Sequence, residues 1–88
     1  MNIKRNHTLG LEEARKRIDG MADSLASKYG LHSSWDGDNL RITGSGVDGK
    51  ITVAASSVDV KLKLGFALKI MENTVRTSIE DAMDRHLV

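Results

Sequence analysis

The side chains able to do chemistry are few and scattered. The chain has three histidines, His7, His32 and His86, and no cysteine. No two histidines stand at helical ligand spacing, so a metal site would need the fold to gather them with Asp36 or Asp84. Otherwise they read as surface or capping residues, with His86 in the last turn of a helix, where a cation is favoured. The missing thiol excludes disulfides, thiolate metal ligation and cysteine catalysis. Ser33, Ser34, Ser45, Ser56 and Ser57 show neither a nucleophile elbow nor a histidine placed to activate them. The carboxylates fall on helix surfaces and turns beside basic residues, whereas general acid–base catalysis needs a desolvated cleft. These residues lead us to expect no catalytic residue, no cofactor and no metal, and hence a protein that is not an enzyme.

Two stretches imitate functional loops. Gly44-Ser45-Gly46-Val47-Asp48-Gly49-Lys50 follows the opening of a phosphate-binding loop, but Ile51 stands where a Ser or Thr must reach magnesium. That loop also needs a helix directly after its lysine, because the helix N-terminus holds the phosphate. The residues here predict a strand, and Asp48-Gly49 reads as a hairpin turn. Asp36-Gly37-Asp38-Asn39 opens like a calcium loop, yet Arg41 and Val47 occupy the sites that require glycine and glutamate. A turn is the better reading.

With 88 residues the chain predicts one domain, residues 1–88. Hydrophobic residues make up 40% and charged residues 28%, an ordinary globular balance. A net charge of +1 offers no bulk attraction for nucleic acid or an anionic membrane. The beginning of the chain lacks the apolar core of a secretion signal, and no apolar run reaches membrane-spanning length. The expectation is a cytoplasmic location with no membrane span. Tyr29, Trp35 and Phe66 are the only aromatics, few for stacking bases or sugars. No nucleic-acid partner is expected.

The elements follow from periodicity. Residues 2–7 predict a short strand suited to a sheet edge, where Lys4 and Arg5 discourage stray pairing. Thr8 is placed to cap a helix whose apolar stripe runs Leu11, Ala14, Ile18, Met21, Ala22, Leu25 and Tyr29. Gly20 inside it predicts a close contact, and Gly30 ends it. Strands over 31–36 and 39–45 flank a turn at 36–37 or 37–38. A turn at 48–49 sets Ile51, Val53 and Ala55 opposite 46, 44 and 42, and a turn at 56–57 sets them opposite Leu62, Val60 and Val58. Trp35, Leu40, Ile42, Ile51, Val53, Ala55, Val58, Val60 and Leu62 then share one face, because cross-strand neighbours must. Arg41, Thr43, Lys50, Thr52, Asp59, Lys61 and Lys63 share the other, solvated one. Met71, Val75, Ile79, Ala82, Met83 and Leu87 form the stripe of a last helix. Where that helix starts is open, since Leu62, Leu64, Phe66, Leu68 and Ile70 prolong the period of two. The order is β-α-β-β-β-β-α, an α+β domain with two helices on one face of an antiparallel sheet. The dense apolar segment carrying Phe66, Leu68, Ile70 and Met71 is either core at the strand–helix junction or a surface for a partner or ligand.

Several segments together resemble one family: His7-Thr8-Leu9-Gly10-Leu11-Glu12-Glu13-Ala14, Trp35-Asp36-Gly37-Asp38, Gly46-Val47-Asp48-Gly49, Leu62-Lys63-Leu64-Gly65, and Ile79-Glu80-Asp81-Ala82-Met83-Asp84-Arg85-His86-Leu87. The chain resembles the small bacterial polyhydroxyalkanoic acid system proteins, named for genes near those of polyester synthesis and granules. The resemblance spans nearly the whole chain and implies association with storage granules, with granule proteins or the polymer surface as partners. It brings no reaction and no catalytic residues. The leading expectation is a non-enzymatic accessory acting through protein or granule-surface contacts. Two others stand beside it: a binder of a small acyl chain gripped between helix and sheet, and a homodimeric interaction module.

Overall fold

The computed structural model describes residues 1–44 and 46–87. Strand β1 (Asn2–Asn6) leads into helix α1 (Leu11–Tyr29), followed by β2 (His32–Asp36), β3 (Asn39–Gly44), β4 (Val47–Val53) and β5 (Ser57–Leu64). A single turn of helix, α2 (Phe66–Lys69), then precedes α3 (Glu72–His86). The five strands form one antiparallel sheet in the order β1-β5-β4-β3-β2, with β1 at an edge. This is the β-α-β-β-β-β-α arrangement that the periodicity predicts. Ser45 and the end of the predicted 39–45 strand lie outside the described residues.

The core lies between the sheet and the two long helices. Leu40, Ile51 and Val60 stand opposite one another on adjacent strands, with Trp35 and Ile3 completing the row at its two ends. Ile18 and Met21 of α1 and Met83 of α3 are fully buried against this face. Burying such a side chain contributes roughly 1.5–3 kcal/mol, so the row and its covering residues are the main source of stability. Arg5 falls on the same inward parity, opposite Val58. It reaches α3 instead of entering the core, pairing with Glu80 at 2.9 Å and Asp84 at 3.3 Å. The hydrogen bond to Glu80, then that to Asp84, raises its already high pKa, so the guanidinium remains charged. Stability from a raised pKa is fully present below the unfolded value, and no protonation change of Arg5 weakens this tie at ordinary pH.

Trp35 joins β2 to α1. Its indole N–H donates to Asp19 Oδ1 at 2.9 Å, and the Arg15 guanidinium lies 4.7 Å from its ring centroid. His7, the one buried polar residue among the described residues, ties the β1–α1 connection to the β4–β5 connection. Its Nδ1 accepts from the Leu9 N–H at 3.1 Å, which leaves the proton on Nε2 to donate to the Ala54 carbonyl at 3.1 Å. This satisfies two backbone groups in the connections, in part-buried hydrogen bonds.

The turns differ from expectation in two places. Asp48-Gly49 is not a turn but lies inside β4, opposite Thr43 and Ile42. The chain reverses where Gly44 faces Val47, and Gly46 adopts φ +78°, the left-handed region that glycine enters without steric cost. The predicted register would leave Ile51 opposite Gly46; the observed one sets it between Leu40 and Val60. The β4–β5 connection is longer than two residues. Val53 pairs with Val58, the Ala54 N–H donates to the Ser57 carbonyl at 2.8 Å, and Ala55 is exposed instead of facing the core. Both displacements are by an even number of residues, so every other side chain keeps its predicted face. The first turn is Gly37-Asp38, with Asp36 opposite Asn39.

The helices also depart in detail. Gly10, not Thr8, precedes α1, and its carbonyl accepts from Ala14 N–H at 3.0 Å. Strand β5 stops at Leu64, opposite Val47 where β4 begins. One more bond on that side, from the Gly65 N–H to the Gly46 carbonyl at 2.6 Å, brings β5 to the β3–β4 turn, and from there a helical turn satisfies its own amides: Leu68 and Lys69 donate to the Gly65 carbonyl at 3.0 and 2.9 Å. Gly20 marks no close contact; a Cβ there would meet nothing within 4 Å. Gly20→Ala should therefore raise the thermal midpoint. The expected gain is about 0.4–1 kcal/mol, checked by calorimetry, and a lower midpoint would show that the helix needs glycine there.

Candidate functional site

One row of the inward sheet face is incompletely filled. Where the central row carries large residues on every strand, the next row runs Ser33, Ile42, Gly49 and Leu62. Gly49 offers no side chain, and a Cβ there would run into Leu62 and lie 3.0 Å from the Lys61 carbonyl. Glycine is thus required for Leu62 to lie across β4, and a space remains above it. The ends of α1 and α3 roof this space without closing it.

The result is an apolar cleft of about 250 Å³. Ile42, Ile51, Val60 and Leu62 form its base. Met21, Leu25 and Tyr29 of α1 form one wall, and Val75 and Ile79 of α3 the other. Leu68 and Met71 close the end near Val47, and Thr74 is the one aliphatic-chain neighbour that carries a hydroxyl. The Tyr29 hydroxyl donates to Ser78 Oγ at 3.3 Å, joining the two helices at the rim. An apolar cavity of about 150 Å³ suffices to hold benzene, so a cleft of this size and lining suits an alkyl chain or an apolar side chain.

The four residues predicted for a partner surface divide between lining and rim. Leu68 is half-buried in the cleft, packed beside Gly46, and Met71 lines it while half-exposed. Phe66 and Ile70, on the same short segment, do not line it and are 91% and 84% exposed. Core packing therefore accounts for Leu68 but not for Phe66 or Ile70, whose exposure has no structural benefit within the chain. Leu25, Tyr29, Leu31, Val47, Thr74 and Val75 were not foreseen as site residues. They come from α1, β4, α3 and the residue before β2, so no local pattern joins them.

The chemistry-bearing residues are not assembled. His7 is spent on backbone hydrogen bonds, His32 is exposed on the edge strand β2, and His86 ends α3. Among the described residues no group of three or more His, Asp or Glu could hold a metal ion. Lys50 follows its glycine within a strand, so the helix that a phosphate loop requires is absent at that point. On the open face Arg41, Lys50 and Lys61 stand directly opposite one another, with Asp48 3.7 Å from Arg41. Like charges so placed are mildly destabilising. No described helix is long and apolar enough to cross a membrane.

Fold and cleft together define a two-layer α+β protein with an apolar cleft under its helices. The chain matches the polyhydroxyalkanoic acid system protein family over residues 1–87 and belongs to that family. No curated protein and no solved structure matches it significantly.

Proposed function

We propose that this protein is a non-enzymatic accessory of polyhydroxyalkanoate storage that docks apolar material at the cleft and its Phe66–Ile70 rim, on the granule surface or on a granule protein. The observation that carries the reading is the coincidence of an apolar cleft with two almost fully exposed large apolar side chains on one short segment. Family membership supports the setting, and the dispersal of histidines and carboxylates favours a binding role over a catalytic one.

Burying Phe66 and Ile70 on a partner would contribute about 3–6 kcal/mol, a gain in affinity on the order of 10² to 10⁴. The tagged protein should therefore co-sediment with granules from polymer-accumulating cells and image as foci on them. A diffuse signal, with the protein confined to the soluble fraction, would refute the reading. Light scattering addresses self-association: a stable dimer that hides Phe66 would mean that a second copy occupies the rim.

A further inference from the structure

We infer that two copies of this chain pair through the free edge of β2, antiparallel and centred on Ser34, so that one sheet runs through both. The contact is separate from the cleft rim, because β3 and β4 stand between β2 and β5.

The hydrogen-bond parity of the sheet selects the residues. The Val53 N–H donates to the Asp38 carbonyl at 2.9 Å. Antiparallel strands alternate bonded and non-bonded pairs, so Leu40 and Ile42 bond to β4, while Asn39, Arg41 and Thr43 bond to β2. Their partners Asp36, Ser34 and His32 are thereby satisfied. Ser33 and Trp35 turn their amides and carbonyls away from β3, at an edge of the sheet. Ser33 lies on the helix side and is nevertheless exposed, so α1 does not cover this edge.

The two edges of the sheet differ. At the β1 edge the His7 N–H donates to the Ser56 carbonyl at 2.9 Å, and the same parity leaves Asn2, Lys4 and Asn6 facing outwards. Pairing centred there would set Lys4 against Lys4 of the second copy, and an edge lysine guards against such pairing. Strand β2, His32-Ser33-Ser34-Trp35-Asp36, carries no lysine, proline or bulge. It is also complementary to itself in reverse. Centred on Ser34, Ser33 faces Trp35 of the second copy, and each satisfies the other's free amide and carbonyl. The small serine leaves room for the indole, which Asp19 and Arg15 already hold in place. On the other face His32 meets Asp36 of the second copy, a hydrogen-bond donor opposite a carboxylate. Centring the pair on Ser33 or on Trp35 loses that match.

The test is sedimentation velocity of the full chain up to about 1 mM, with amide hydrogen exchange followed at each concentration. A dimer should form, and exchange at Ser33 and Trp35 should slow as it does. Ser33→Pro removes an outward amide that the fold does not use, and proline is accepted at such edge positions. It should abolish the dimer and keep the thermal midpoint near the parent value. His32→Asp sets carboxylate against carboxylate at both symmetric contacts and should weaken the dimer about tenfold or more. Adding Asp36→Lys restores opposite charges and should recover the parent affinity, a result that does not depend on how the proline variant folds. A chain that stays monomeric throughout overturns the inference and leaves the edge to an extended segment of another protein. A dimer indifferent to Ser33→Pro, or one that the charge exchange fails to recover, overturns the β2 pairing.

Discussion

Val60→Asp should leave a chain without a cooperative thermal transition. Val60 is 2% exposed in β5, between Ile3 on β1 and Ile51 on β4, under the long helices. Removing its side chain forfeits about 1.5–3 kcal/mol of burial. The inward-facing cation two residues along the neighbouring strand, Arg5, is already held by Glu80 and Asp84, and burying an unpaired charge costs several kcal/mol more. Domains have only about 5–15 kcal/mol of stability, and small ones lie at the low end. The sum therefore reaches the whole. Lys61→Asp is the matched control one residue on. It faces water opposite Lys50, so it should leave the midpoint near its original value and relieve a like-charge contact. Circular dichroism melts of the pair decide the matter. A Val60→Asp protein that melts within a few degrees of the parent would show that β5 presents its other face to the helices.

The second large effect separates binding from folding. Phe66→Asp/Ile70→Asp should abolish granule association while shifting the thermal midpoint by less than about 4 °C. Both side chains are almost fully exposed, and surface substitutions usually change stability by no more than about 0.5 kcal/mol, which in a domain of this size is a few degrees. Association should fall by the same 10² to 10⁴ that burial of the two residues supplies, which is complete loss in a sedimentation assay. Leu68 cannot serve this purpose. It is half-buried beside Gly46 and lines the cleft, so a polar residue there would disturb packing and binding together. Retained association of the double variant would remove the rim from the mechanism, and a large drop in midpoint would make these residues structural.

The cleft also explains why the two surfaces of the sheet differ in kind. The inward face is graded, full along the Leu40–Ile51–Val60 row and depleted along the Ile42–Gly49–Leu62 row. Close packing is the default of protein interiors because each missing contact forfeits attraction. A depleted row beneath parted helix ends is thus a departure from that default, and it lies beside the exposed Phe66 and Ile70. The outward face has no comparable gradation. Its cations stand in a row, with the carboxylate of Asp48 nearby.

What could be known from residues alone was the pattern of faces. Period two in Val58, Val60 and Leu62, and helical spacing in Ala14, Ile18 and Met21, are local properties, and they dictate which side of each element is apolar. Because a strand's faces repeat every two residues, the errors at Asp48-Gly49 and Ser56-Ser57 changed partners without changing sides. The resemblance of short segments likewise pointed to the family that the chain belongs to. Which residues meet was beyond that reach. Turn position is decided by the pairing that buries most, and it moved Gly49 from a turn tip to the underside of the cleft. Strand β5 ends at Leu64 because β4 begins at Val47 and, after one further bond from Gly65 to Gly46, turns back towards β3, a fact of the sheet and not of the segment. Only the assembled structure could divide the apolar run after Leu64 into half-buried Leu68 and exposed Phe66 and Ile70, since exposure depends on what other elements cover.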